Sequence, residues 1–338
     1  MIDRRQFVPL VAGALAMGAA GLPSAHAQDV PELRIKIANS YTKDQTAGIA
    51  LEHFKTRVGE LSNGKITAQI FHAGTLYSED KSIQAVLDGT VDMGLASASN
   101  HGPFTKVWRV MEAPYLFTSR KQFRAVIIRG DIGNGLRKAA EKDRLVPLMI
   151  FETGGFRILG TNRAVRVPDD MKSLKVRVPQ SPVPLAFWKA AGANPTVVPW
   201  AETYLALGSK AVDGLDAAWV SWPLGKLWEV TKFVTDVKYS TVASVVDVST
   251  DWWAKRTPKQ KEIILAAAKE AEEASMKAED NDEAKIRDQM KKNGMQVFDL
   301  TPEELEKWRK VGLSTWDALP DAPRAKIEEI QKAAAAVK

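Results

Sequence analysis

The chain has 338 residues, a net charge of +6, 26% charged residues and no cysteine. The missing cysteines exclude disulfides, thiolate nucleophiles and zinc–thiolate sites. The small positive balance is spread among mixed charges, as in 270–287, which argues against a nucleic-acid-binding face.

The N-terminus reads Arg4-Arg5-Gln6-Phe7, then an apolar, glycine-containing run from Pro9 to Leu22, then Ala25-His26-Ala27. A basic start, a short apolar run and an A-x-A site are the layout of an export signal over 1–27, of twin-arginine or general secretory type. A periplasmic protein beginning near Gln28 is expected. About 310 residues would remain, enough for two domains. No later apolar run is long enough to span a bilayer.

Leu33-Arg34-Ile35-Lys36-Ile37-Ala38 alternates and predicts a first strand. Residues 47–61 predict an amphipathic helix, closed by Asn63-Gly64. Strands follow at 65–71 and 91–96, with a helix over 80–88 between them. This order argues for an α/β domain with a largely parallel sheet. A second α/β block begins near Gly154, with strands at 155–161, 174–179 and about 196–199. Its helices are expected at about 182–191 and 200–210. Thr257-Pro258-Lys259-Gln260 is a capped helix start. Nothing breaks the pattern before Asn293-Gly294, so the helix would run about 36 residues, roughly 54 Å. That length suits a helix spanning two domains. Further helices are expected from Thr301-Pro302-Glu303-Glu304 and over 322–337.

Catalytic and nucleotide motifs are missing. The histidines beyond the leader, His53, His72 and His101, lack metal-ligand spacing, and there is no G-x-S-x-G elbow or phosphate loop. Gly130-Asp131-Ile132-Gly133-Asn134-Gly135 has its glycines in the wrong order for a dinucleotide fingerprint and reads as a turn before a helix. Neither catalysis nor a cofactor is expected.

Two arginines stand out. Arg177 alternates with Val176 and Val178, and Arg157 with Phe156 and Ile158. Alternation puts the apolar neighbours on one strand face and the arginine on the other. A guanidinium on a rigid strand presents a planar fork that fits a carboxylate.

The stretch 173–182, SLKVRVPQSP, followed by 192–207, GANPTVVPWAETYLAL, and Val212-Asp213-Gly214, resembles the solute-binding subunit of TRAP transporters (tripartite ATP-independent periplasmic, C4-dicarboxylate-binding type). Asn63-Gly64-Lys65-Ile66, Gly74-Thr75-Leu76, Asp88-Gly89-Thr90-Val91-Asp92-Met93 and Ala113-Pro114-Tyr115-Leu116-Phe117 resemble further family motifs in the family's order. The resemblance spans nearly all of 31–320. It implies a two-domain, periplasmic-binding-protein-like α/β fold with a ligand cleft and a long C-terminal bracing helix. It also implies hinge closure on an organic acid and delivery to small and large membrane subunits. The expected domains are 28–153 with about 243–275, and 154–242 with about 276–338. A monomer is favoured. The alternatives are a sensory component sharing the fold and an enzyme on the same scaffold.

By resemblance, Arg177 matches the family's carboxylate-binding arginine and Arg157 a second ligand-contacting arginine. Gln180, near the end of the Arg177 strand, and Trp200, where relatives place an aromatic or apolar residue, are expected to line the cleft. Tyr239 matches a position used by some members. Asn39 and Ser97 end strands that should face the cleft, Ser97 standing where binders of polyhydroxylated ligands carry a charge. After Asp213-Gly214 many relatives continue Gln-Glu-Asn-Pro; this chain reads Leu215-Asp216-Ala217-Ala218-Trp219. Ala217 cannot replace the asparagine's hydrogen bond, and Trp219 is expected to make the pocket more apolar. Asp216 is a candidate metal ligand at an atypical spacing. The expected ligand is an organic acid with an apolar or aromatic tail.

Overall fold

A computed structural model describes residues 30–279 and 282–337; the expected export signal lies outside the described residues. The first half contains β1 (Leu33–Ala38), α1 (Thr46–Leu61), β2 (Ile66–Phe71), α2 (Glu79–Leu87), β3 (Met93–Ser97), α3 (Arg120–Phe123) and α4 (Asp131–Ala140). The 17-residue strand β4 (Leu145–Thr161) then crosses into the second half. There follow β5 (Lys175–Val178), α5 (Pro182–Ala190), β6 (Asn194–Val197), α6 (Thr203–Gly208), β7 (Gly214–Ala218), α7 (Ser221–Gly225) and β8 (Phe233–Thr235). The chain returns through β9 (Thr241–Ser249) and α8 (Thr250–Ala254). It ends with α9 (Pro258–Glu279), α10 (Asp282–Lys292), β10 (Gln296–Phe298), α11 (Pro302–Ser314) and α12 (Arg324–Ala335).

The main sheet has the order β2-β1-β3-β9-β4-β7-β5-β6. Its outer parts are parallel: β1 pairs with β2 and β3, and β5 with β6 and β7. Its centre is antiparallel, β9 pairing with β3 and β4, and β4 with β7. The expectation of a largely parallel sheet is therefore corrected. Helix-linked strands are parallel because their crossovers require it. β9 instead comes back from the second half and fills the centre of the first. Its β-branched run is buried throughout.

Between Glu152 and Phe156 the β4–β9 register shifts. Gly154 and Gly155 lie there at φ +96° and +69°, a region L-residues rarely adopt. A Cβ on Gly154 would stand 2.6 Å from the Ala218 side chain. This bulge turns β4 between the halves and aims Arg157 into the second.

Helices α9 and α10 cover the expected long helical span, apart from the two residues between them, which lie outside the described ones. Ile263, Ile264, Ala267 and Ala271 of α9 pack with Phe54 and Val58 in the first half. Ile286 and Met290 of α10 pack with Trp219 and Trp222 in the second. The tail, expected wholly in the second domain, is divided. Trp308 of α11 stacks 6.1 Å from Phe187 in the second half, whereas Ile327 and Ile330 of α12 join the Trp108 and Phe123 cluster of the first. No helix among the described residues is long and apolar enough to cross a membrane.

Candidate functional site

The ends of β3, β5 and β7 and the β4 bulge converge on a cleft between the halves. Its first chamber has a polar wall from the first half, including Tyr41, Glu79, Ser97, Asn100 and Thr153. The opposite wall carries Arg157, Arg177, Trp200, Asp216, Ala217, Ala218 and Val220. A second chamber shares Ser40, Glu79, Arg177 and Trp200 with the first and continues past Gln180, Val198, Pro199 and Asp80.

Both arginines are 5% exposed, but their surroundings differ. Arg157 donates through Nη1 to Asp216 Oδ1 at 2.7 Å and through Nη2 to Ser99 Oγ at 2.9 Å. Burial, the largest single influence, works against its charge, yet Asp216, Tyr239 and Glu112 together outweigh it and hold Arg157 above the ordinary arginine range. Asp216 Oδ2 accepts from Trp188 Nε1 at 2.6 Å and from the Tyr239 hydroxyl. Glu112 completes the network, accepting from Ser99 and, at 3.0 Å, from Ser181 Oγ. Burial pushes the Glu112 carboxyl up, against the pull of Arg157.

Arg177 has no carboxylate within ion-pair distance among the described residues. Its Nε donates to the Val198 carbonyl at 2.9 Å, Nη1 reaches the Asp216 carbonyl only at 3.5 Å, and the guanidinium sits 5.6 Å from the Trp200 ring centre. Burial pulls its pKa down to about 10; Asp216 opposes this and Arg157 reinforces it. It is thus a desolvated cation held on a rigid strand and turned toward the chamber, the arrangement in which an incoming anion gains most.

Of the other expected site residues, Ser97 lines the first chamber, Trp200 both chambers, and Gln180 the second. Asn39, Trp219 and Tyr239 do not face the cleft, which corrects the expectation for each. Asn39 is fully buried; it donates to the Tyr41 carbonyl, meets His72 Nδ1 and accepts from the Tyr41 amide. It shapes the loop that presents Ser40 and Tyr41. Trp219 points into the second core with the Arg287 guanidinium 4.2 Å from its ring centre. Trp219 follows Ala218, the last residue of β7, so its direction is not set by the alternation of that strand. Tyr239 stacks 4.0 Å from Phe187 and holds Asp216 from behind. Asp216 is a poor metal ligand because both its oxygens are engaged. No cluster of His, Asp or Glu able to hold a metal occurs among the described residues.

Sequence reasoning missed Glu79, Tyr41 and Thr153. Glu79 opens α2, accepts the Ser97 amide at 2.5 Å and lines both chambers. An acidic residue in the first turn of a helix reads as a dipole partner, which hid it. The Tyr41 hydroxyl is pushed up to about 12 by burial and contacts Ser244 Oγ, which Thr153 also meets.

A family model for bacterial extracellular solute-binding proteins, family 7, matches residues 37–319. The C4-dicarboxylate-binding periplasmic protein DctP of Vibrio cholerae is 30% identical over 288 residues, covering 83% of this chain and 84% of that protein. Among solved structures, a TRAP periplasmic solute-binding protein from Sulfurospirillum deleyianum with bound succinate is 26% identical, with a TM-score of 0.82 over 91% of this chain and 100% of the other. One from Polaromonas bound to D-erythronate is 28% identical, with a TM-score of 0.84 over 91% and 99%. With the two-domain fold and the inter-domain cleft, these matches establish that the chain belongs to the family 7 extracellular solute-binding proteins, the solute-binding proteins of TRAP transporters.

Proposed function

We propose that this chain is the periplasmic binding subunit of a TRAP transporter and that it captures an organic acid by its carboxylate on Arg177. Export by its N-terminal segment and delivery to small and large membrane subunits complete the reading. The observation that carries it is the contrast between the arginines: Arg157 is matched by Asp216, whereas Arg177 is buried without a carboxylate. A bidentate carboxylate would supply the missing charge and hydrogen bonds.

Arg157 acts beside it as the second arginine of the clamp, adding positive field and fixing the wall through Asp216 and Ser99. The apolar part of the ligand would lie against Ala217, Val220, Leu224 and Trp200. Trp219 contributes only support from behind. Burying that part contributes roughly 25 cal/mol per Å².

Thermal-shift and calorimetric screening of a carboxylic-acid panel tests the proposal. Stabilisation by organic acids, lost in Arg177→Met, is expected. Stabilisation only by uncharged compounds, or undiminished binding in the variant, contradicts it.

A further inference from the structure

The short turn Ala98–His101, which follows β3, is where the first half meets the arginine wall of the second. Ser97 and Asn100 line the first chamber, and Asn100 the second as well. Ser99 Oγ accepts from Arg157 Nη2 at 2.9 Å. His101 lies beneath this turn, fully buried and out of reach of a ligand. Its Nδ1 stands 2.8 Å from the Ser97 carbonyl and its Nε2 2.7 Å from Asp247 Oδ2 on β9. A carbonyl and a carboxylate only accept, whereas a neutral imidazole has a single N–H to give. Both contacts are satisfied together when the pair holds one more proton. That proton sits on the ring, because imidazole holds a proton about two to three pK units more strongly than an aspartate carboxylate. Asp247 is itself fully buried, and its Oδ1 has no hydrogen-bond partner among the described residues, so the carboxylate depends on this ring.

Two carboxylates act on the ring: Asp247 on β9 and Glu79 on α2, the latter also accepting the Ser97 amide. The adjoining turn Val107–Glu112 brings Arg109 close to the Gly102 carbonyl and Glu112 to Ser99. Burial, the largest single influence, works against a charge on His101, yet Asp247, the Ser97 carbonyl and Glu79 together outweigh it and hold the ring above the ordinary histidine range. We infer that His101 is a positioning residue of the binding site: as an imidazolium it pins the Ser97–Asn100 wall to β9, and the affinity of the cleft depends on a charge that the ligand never touches. The inference rests on the carboxylate anchor proposed above. The pinned form persists below the raised value and is lost as pH rises through it, so affinity falls on the alkaline side of the ordinary histidine range.

Histidine-selective nitrogen NMR of the full protein reads the ring directly, the His101 signals being those that vanish in His101→Gln. Both ring nitrogens are expected to carry protons at about pH 6.5, and one to lose its proton with a midpoint above that. A bare ring nitrogen at every pH overturns the inference. Calorimetry with an acid that binds should show affinity falling at least about tenfold across the same midpoint. Asp247→Asn removes the countercharge but keeps an acceptor, so the ring midpoint and the fall in affinity should move together to lower pH by about one to three units. A fall that D247N leaves in place belongs to another group, such as Arg177, and overturns the positioning role. Should D247N not fold, the wild type decides alone: separate midpoints for the ring and for affinity overturn the role. If no acid binds at any pH, the anchor falls and the positioning role with it, while the ring spectra still decide the charge.

Discussion

Arg157 and Arg177 lie on strands separated only by β7, are equally buried, and sit in the same apolar alternation. They nevertheless differ in the one property that matters for a ligand. Arg157 is closed into a network with Asp216, Ser99, Trp188 and Tyr239, while Arg177 has backbone carbonyls and a tryptophan face. Local pattern places a charge on a strand face; the partner three strands or sixty residues away decides whether that charge is structural or available.

The largest expected effect breaks the matched member. Arg157→Met leaves Asp216 without its cation, and unfolding measurements should show a loss of about 3–5 kcal/mol. The double variant Arg157→Met/Asp216→Leu should recover part of it. Equal stability of R157M and wild type would mean that Asp216 does not need the pair.

The unmatched member should behave in the opposite way. Arg177→Met should cost about 2–5 kcal/mol of carboxylate affinity by calorimetry. Without ligand, it should unfold no more easily than wild type, because an uncompensated buried charge has been removed. A large loss of unliganded stability would show that Arg177 is structural after all.

Glu279 extends the contrast to a carboxylate away from the chamber. Burial pushes it up to about 7, with Arg120 opposing. The folded form therefore holds a proton that the unfolded chain, titrating near 4.5, releases first. Its contribution to stability is present below about pH 4.5 and is lost as pH rises toward about 7. Thermal melts of Glu279→Gln should show this slope flattened by an amount on the order of 1–3 kcal/mol. An unchanged slope would assign it to other groups. The smallest effect is expected at the Arg177 platform: Trp200→Ala should weaken binding by about 0.5–2 kcal/mol while leaving the melting temperature nearly unchanged. A loss of stability instead would make Trp200 a core residue.

Much of the scaffold was legible because it is local. Alternation at 33–38 and 65–71, and the capped start at Thr257-Pro258, anticipate elements that pack as those patterns require. The centre of the sheet was not anticipated, although Thr241–Ser249 is rich in valine: nothing local says that it inserts beside β4 in the first half. In the cleft, Arg177 and Ser97 were legible from strand ends and resemblance. Trp219 and Tyr239 were misplaced for one reason. Both are large, and the cores behind the cleft wall hold large side chains as readily as a ligand space does. Glu79 was missed because its neighbours in space, Ser97 and Arg177, are remote in the chain.

The most direct measurement is a crystal structure of the protein with a carboxylic acid that the panel shows to bind. The account predicts the carboxylate in paired hydrogen bonds with the Arg177 guanidinium, with the 2.7 Å contact between Arg157 and Asp216 intact. A carboxylate that displaces Asp216 from Arg157, or that lies away from Arg177, would contradict it.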